Sequence, residues 1–514
     1  MAFTQSKPIP QTEINDILWR ACDTLSGLVD PIQHRDYVLT LLFVKCLSDV
    51  GKDHYAKYLG KYDGDASRAE WAMQSERFQV PAIASFDYLY EQRNADNIGE
   101  VLNIALDRLE EANSTKLKDV FRNIDFNSEP KLGQVRERNA RLKLLLQAFA
   151  DPRLDLRPSV VGGESVIGNA YEYLIARFAV DSGKKGDEVH TPGEVAELLA
   201  RLLDPKPKQH ICDPTCGSGS LLIKMAQQVS PRYAALYGQE INSSIHALCR
   251  MNMFLHGLDD AQIEWGDTLR NPHLLDGNEL RRFDVVVAHP PFSLDRWGAD
   301  EADLDRYMRF WRGVPPKSRG DYAFISHMLE TTIPSTGRAG VIVTHGALFR
   351  GGAEGKIRQQ LIEENLLDAV IGLPANLFYS TSIPAAILLF RYGRTSQDVL
   401  FVDASRDFEL GKNQNYLGTN HLARIVAACR TYRDEPYYAR VVPRAELALN
   451  DYNLNISRYI EIQEEPLTID LNATQREIGR LEAELATARS QVATYMRELG
   501  IPLQSISTSS KNRG

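Results

Sequence analysis

Two short stretches of this 514-residue chain combine residue types that can act chemically. The first is ICDPTCGSGSLLIKMA (211–226). It follows a short apolar strand and opens an apolar helix, with Thr215, Cys216, Gly217, Ser218, Gly219 and Ser220 forming the turn. A glycine-rich turn there lets the backbone approach a ligand closely and aims helix N-terminal amides at it. The second is FDVVVAHPPFSL (283–294). An apolar strand runs into Pro290 and Pro291, with His289 in front and the aromatic Phe292 behind. Paired prolines fix φ and stop the strand, so they hold neighbouring groups still. A metal role for His289 is not expected, because no His, Cys or carboxylate set with ligand spacing surrounds it.

The turn does not have GxGxxG spacing, and it lacks the Lys-Ser/Thr pair of a phosphate-binding loop. It therefore suits something other than a triphosphate, or else it is a plain strand-to-helix turn. Three further signals favour a ligand. Glu240 closes the next strand in YGQEIN, where an acid can take two ribose hydroxyls. Asp267 closes the one after in EWGDTL, placed to accept from an adenine amine. Upstream, EVHTPGEVAELLARLL (188–203) puts Thr191 and Pro192 at a helix start, an expected N-cap followed by a first-turn proline. Polar groups at four such ends fit an adenosine ligand laid across the carboxyl edge of a sheet.

The order DPTCGSGSLL, acid, GD pair and xPPF tetrapeptide resembles that of DNA adenine-N6 methyltransferases using S-adenosyl-L-methionine. With the long helical N-terminus, the HTP entry and the C-terminal helix, the chain resembles specifically the modification subunit of type I restriction–modification systems. The resemblance runs over essentially the whole chain. It implies a cofactor site of Glu188, Val189, His190, Thr191, Pro192, Asp213 and the 215–220 turn around the methionine part. It places Glu240 on the ribose and Asp267 near the adenine. It also implies double-stranded DNA as substrate. The implied protein partners are a DNA-recognition specificity subunit, a second modification subunit and a restriction subunit with nuclease and translocase activity.

In such enzymes the tetrapeptide is usually Asn-Pro-Pro-Phe or Asn-Pro-Pro-Tyr. The exocyclic amine of adenine is a poor nucleophile because its lone pair is delocalised into the ring. Two acceptors that take its hydrogens favour a tetrahedral nitrogen and stabilise the charge that develops. The Asn side chain supplies one and the carbonyl of the first proline, here Pro290, the other. Phe292 would stack on a base taken out of the duplex. His289 departs from this pattern. A neutral imidazole has one acceptor nitrogen and a protonated one has none. Because one oriented transition-state hydrogen bond is worth ~10²–10³ in rate, impairment relative to asparagine is expected. The alternative is a variant that works adequately.

Between the tetrapeptide and residue 322, Arg306, Arg309, Arg312, Lys317 and Arg319 interleave with Tyr307, Phe310 and Trp311. Basic and aromatic side chains there suit phosphate contacts and stacking. A solvated loop is the competing reading, since Pro315 and Pro316 favour a surface segment.

These groups need a scaffold. Residues 1–165 read as an all-helical domain, with Ile14, Ile17, Leu18, Ala21, Cys22 and Leu25 on one face and DYVLTLLFVKCLSDV as a buried helix. From 166 to 400, apolar runs alternate with helical stretches. This predicts an α/β methyltransferase core with a seven-stranded mixed, mostly parallel sheet. Residues 401–465 form a mixed region without a legible sheet pattern. In 466–500, Leu471, Ile478, Leu485, Val492 and Leu499 fall seven apart with Leu481, Ala488 and Tyr495 between them, a coiled-coil-like seam. That helix is the candidate clamp for the specificity subunit; the alternative is packing on its own chain. Residues 501–514 read as a polar, disordered tail.

Composition sets outer bounds. Hydrophobic residues are 43% and charged residues 25%, ordinary for a globular protein. No apolar run could cross a bilayer, no signal peptide is evident, and six scattered cysteines suggest no disulfide framework. A reduced, cytoplasmic location is expected. The net charge of −9 is unlike that of a chain that neutralises many phosphates alone, so DNA contact should be local or shared with a partner.

Overall fold

The computed structural model describes residues 9–23, 31–181, 191–230, 233–378, 381–412, 414–461 and 471–498. The chain divides into two compact units, Met1–Glu461 and Ile462–Gly514.

Nine strands form one sheet: β1 (His210–Asp213), β2 (Ala235–Glu240), β3 (Gln262–Trp265), β4 (Val285–Ala288), β5 (Arg338–Thr344), β6 (Leu367–Gly372), β7 (Ala385–Arg391), β8 (Val399–Asp403) and β9 (Ala439–Val442). Their spatial order is β9-β8-β6-β7-β5-β4-β1-β2-β3. β3, β2, β1, β4 and β5 run parallel, and β7 is antiparallel to both its neighbours. The order reverses between β1 and β4, so a crevice opens at their carboxyl ends, where open α/β sheets bind ligands.

Successive side chains of a strand go to opposite faces. Val285 and Val287 join one core with the helices Gly193–Leu203, Ser220–Val229 and Thr419–Thr431. Val286 and Ala288 join the other with Asp321–Glu330 and Gly352–Glu363. Both faces of the sheet are covered, which is why its strands read as unbroken apolar runs.

Two expected boundaries move. The sheet does not end near residue 400. β8 pairs with β6, and β9 pairs antiparallel with β8, so most of the expected mixed region extends the same sheet. The N-terminal core also runs past 165. It takes Tyr171, Leu174 and Ile175 from the helix Glu164–Asp181, and Leu248, Met251 and Phe254 from the helix Ser243–Leu255. Ser243–Leu255 thus serves two cores, since its Cys249 and Met253 belong to the sheet core. Asp259, just beyond it, is ion-paired with Arg77 and with Lys116 from the N-terminal region.

In the second unit, Leu471–Glu498 is one helix. Its seam residues Ile478, Leu481, Leu485, Val492 and Tyr495 are all exposed. Leu499 and the tail lie outside the described residues. Among the described residues, no helix is long and apolar enough to cross a membrane.

Candidate functional site

The glycine-rich turn connects β1 to the helix Ser220–Val229. Gly217 and Gly219 take positive φ, +53° and +86°. A Cβ on Gly219 would meet Met253 Cε and would lie 2.9 Å from Cys249 Sγ, so the turn rests directly on Ser243–Leu255. Glu240, at the end of β2, ties the turn to the sheet. Its Oε2 accepts from Gly217 N at 3.0 Å and its Oε1 from Asn242 N at 2.8 Å.

Asp213 is buried at the end of β1. Its Oδ1 accepts from Thr215 N at 2.9 Å, while Oδ2 has no hydrogen-bond partner among the described residues. Burial pushes this carboxyl up to about 7; the Thr215 N–H opposes the shift and the nearby Glu240 charge adds to it. Asp267 turns its own loop, with Oδ1 accepting from Leu269 N and Arg270 N.

A cavity of ≈ 340 Å³ opens at this edge. Thr215, Glu240, Asn242, Asp267, His289 and Pro291 contribute to its walls. Thr215 from the first stretch and His289 and Pro291 from the second therefore face one space, whereas Asp213, Cys216, Gly217, Ser218, Gly219, Ser220, Pro290 and Phe292 are not in its walls. Carboxylates predominate around the cofactor turn, and no lysine or arginine of the turn offers itself to a phosphate. That donor set, together with the orphaned buried Asp213 oxygen, fits a ligand carrying positive charge and ribose hydroxyls, as S-adenosyl-L-methionine does.

His289 follows β4 directly. Its Nδ1 lies 3.0 Å from Thr191 Oγ1. Phe292 and Phe378 each pack against the imidazole with ring centroids 5.1 Å away, and against each other at 5.8 Å. This corrects one expectation. Thr191 is not a helix cap: the helix begins at Gly193, Pro192 occupies the cap position, and no side chain caps it. The threonine hydroxyl goes to a residue 98 positions away instead. Glu188, Val189 and His190 lie outside the described residues.

The basic cluster splits. Arg309 is 2% exposed. It pairs with Asp305 and donates to the carbonyls of Thr268 and Leu269, with His327 Nδ1 3.1 Å away. Arg312 bridges Glu330 and Glu364, its side chain 4% exposed. These two hold the molecule together and do not face solvent. Arg306, Lys317 and Arg319 are exposed, with Lys317 paired to Asp300.

Several site residues gave no sequence signal. Thr268 Oγ1 donates to Pro214 O at 2.5 Å, locking the Asp267 loop to the cofactor turn. Gln239 braces the same loop, donating to Asn271 O and accepting from His273 N. Arg270 and Arg296 stand in the cavity wall, and Phe378 comes from the loop after β6. None belongs to a local pattern; each matters through a tertiary neighbour.

Comparison with known proteins accords with this geometry. The N-6 DNA Methylase family model matches residues 163–466, and the HsdM N-terminal domain model matches 14–149. The MjaVIII methylase subunit of a type I restriction enzyme from Methanocaldococcus jannaschii is 32% identical over 96% of this chain and 87% of its own length. The MpnII methylase subunit from Mycoplasma pneumoniae is 29% identical over 95% and 96%. A crystal structure of a type I restriction–modification methyltransferase subunit from Streptococcus thermophilus superposes with a TM-score of 0.79 at 32% identity, covering 88% of this chain and all of that one. Fold, cofactor turn, tetrapeptide and relatives together place this chain in the N-6 DNA methylase family, among the methylase subunits of type I restriction enzymes.

Proposed function

We propose that this chain carries out its family's reaction, transfer of a methyl group from S-adenosyl-L-methionine to the N6 amine of adenine in DNA, from the 340 Å³ cavity where Glu240, Asp267 and His289 meet. The shared cavity is the observation that carries the reading, because it brings a cofactor pocket and an amine-holding tetrapeptide into one space. When bound, the cofactor supplies an electrophilic methyl group on a sulfonium. Asp213 and the 215–220 turn would hold its methionine part, Glu240 the ribose and Asp267 the adenine. Thr191 and Pro192 would line the entry. His289 and the Pro290 carbonyl would take the hydrogens of the target amine, with Pro291 stiffening the turn and Phe292 beneath the base.

DNA contact falls to Arg306, Lys317 and Arg319, joined by Arg270 and Arg296 at the cavity wall. A net charge of −9 suits a subunit that shares DNA with a partner. The exposed heptad seam of Leu471–Glu498 would bind the specificity subunit. A second methylase subunit and a restriction subunit would complete the assembly.

His289 favours a second reading, a cofactor-binding scaffold with weakened chemistry. The test is methyl transfer from labelled cofactor to mixed genomic DNA, with and without the co-purified partner. Transfer that requires the partner supports the complex. Robust transfer by the isolated chain marks a solitary methylase, and cofactor binding with no transfer in either sample marks a scaffold.

A further inference from the structure

We propose that the cavity of ≈ 560 Å³ between the C-terminal ends of the helices Gly193–Leu203 and Thr419–Thr431 is a second binding site, for a small organic phosphate. The phosphate sits on Arg338, Arg391 and Arg430, and an apolar body lies on Leu389 and Leu400, all of which line the cavity. The site is at the edge of the sheet opposite the cofactor crevice. Arg338 opens β5, and that seven-residue strand runs ~20 Å to its carboxyl end. The proposal stands independently of the methylation reading.

The sheet itself brings like charges together here. Arg338 and Arg391 are direct cross-strand neighbours on the antiparallel strands β5 and β7. Like charges so placed repel each other. The register shift between Leu367 and Ala369 leaves Asp368 as an extra residue of β6 without a partner on β7. Such a bulge re-aims a side chain. The Asp368 carboxylate lies 3.5 Å from Arg391 Nε and 2.9 Å from Arg394 Nε, so one negative charge serves two guanidiniums. Arg338 has no carboxylate partner among the described residues. It donates to the carbonyls of Leu203 and Asp204 and to Gln209 Oε1, all from Nε and Nη2, which leaves Nη1 uncommitted. Burial, and then the Arg391 charge, pull the Arg338 pKa below its ordinary value.

The rest of the wall adds to the excess of positive charge. Arg430 is exposed near the end of its helix and forms no ion pair among the described residues. Arg201 and Lys206 are already paired, with Glu197 and Asp204. Five cations and two carboxylates, Asp204 and Asp368, thus line the cavity, and Arg338, Arg391 and Arg430 keep donors for a ligand. Guanidinium forks match the oxygens of a phosphate, often two at a time. The floor between them is apolar, with Ala369, Leu389, Leu400 and Val426 all buried. A bare inorganic ion would leave that floor uncovered. The volume lies within the range of small-molecule pockets.

Macromolecular occupants suit the cavity less well. A duplex presents its phosphates on a convex rod and would leave the apolar floor empty. An acidic side chain of a protein partner brings one negative charge to three guanidiniums, whereas a phosphate monoester brings nearly two at neutral pH.

The experiment is calorimetry of the full chain in phosphate-free buffer, with 1-naphthyl phosphate as the probe and S-adenosyl-L-methionine present to fill the cofactor crevice. One site should be seen, with a Kd on the order of 10⁻⁴ M. Inorganic phosphate and uncharged 1-naphthol should each bind at least about tenfold more weakly. Arg391→Glu and Arg430→Glu, both at exposed residues, should each weaken the probe about tenfold or more at an unchanged melting temperature. Arg122→Glu, an equal change of charge on the N-terminal region, should leave probe binding as it is. No binding at millimolar probe overturns the site. So does binding that neither cavity variant weakens, or that Arg122→Glu weakens equally. Inorganic phosphate bound as tightly as the probe overturns the organic ligand and marks an adventitious ion only. Displacement of the probe by short duplex DNA would assign the cavity to DNA phosphates. Loss of probe binding in the intact complex would assign it to an acidic group of a partner. Either of these results overturns the proposal.

Discussion

Gly217 and Glu240 meet across 23 residues of sequence: the glycine N–H donates to the carboxylate at 3.0 Å. The acid expected to hold a ribose also holds the turn proposed to cradle the rest of the cofactor. Glu240→Ala removes a ligand contact and leaves a buried N–H without its acceptor, a loss of ~1–3 kcal/mol from that group alone. Cofactor affinity should drop on the order of ten- to a hundredfold or more. Calorimetry on the folded variant checks this, and unchanged tight binding would show that the site lies elsewhere.

Asp213 should make cofactor binding depend on pH. Burial holds its carboxyl at about 7 in the free protein, above the usual carboxylate range. A cationic ligand favours the ionised form, so binding should release a proton below pH ~7. Affinity should rise about tenfold per pH unit up to that point and then level off. The sign for stability is the reverse. A carboxyl raised in the folded state favours folding at low pH, and that advantage is lost as pH rises through about 7. Asp213→Asn should therefore weaken binding, flatten its pH profile and raise the melting temperature of the free protein at pH ~8. Calorimetry in buffers of different ionisation enthalpy counts the proton.

The two kinds of arginine after the tetrapeptide should separate cleanly. Arg309→Ala strands a buried Asp305 and two loop carbonyls, and should cost ~3–5 kcal/mol of stability. Arg306→Ala should leave the melting temperature nearly unchanged and lower the slope of log affinity for DNA against log salt by up to about one. Chemical denaturation and salt-dependent binding read the two effects. Comparable stability loss in both variants would refute the division.

Removing residues 466–514 takes away the heptad seam and no strand of the sheet. The shortened chain should fold and bind cofactor, yet fail to co-purify with a DNA-recognition subunit. Unchanged co-purification would place the docking surface on the Met1–Glu461 unit.

What the sequence disclosed follows the range of the interactions. The glycine-rich turn, the acids after β2 and β3 and the HPPF junction are local, each a strand end with its turn, and their places in the fold were legible. β9 was not: ARVV is four residues long, follows an exposed turn and becomes a strand because β8 offers an edge. Thr191 reads as a cap from its neighbours, but a histidine 98 residues away claims its hydroxyl. Arg309 and Arg312 read as phosphate contacts because charge and interleaved aromatics look alike in a string, whether they face water or Asp305, Glu330 and Glu364.

The helix Ser243–Leu255 also sets a clock on biosynthesis. Its Leu248, Met251 and Phe254 complete the core of helices that end by Phe149 and Asp181. Those helices leave the ribosome first and wait with an apolar flank uncovered until their missing wall is translated. At roughly 5–20 residues per second, the interval from Phe149 is of the order of five to twenty seconds. A nascent chain stalled within it should be the form most readily captured by chaperones, and one released beyond Asp259 should close on itself.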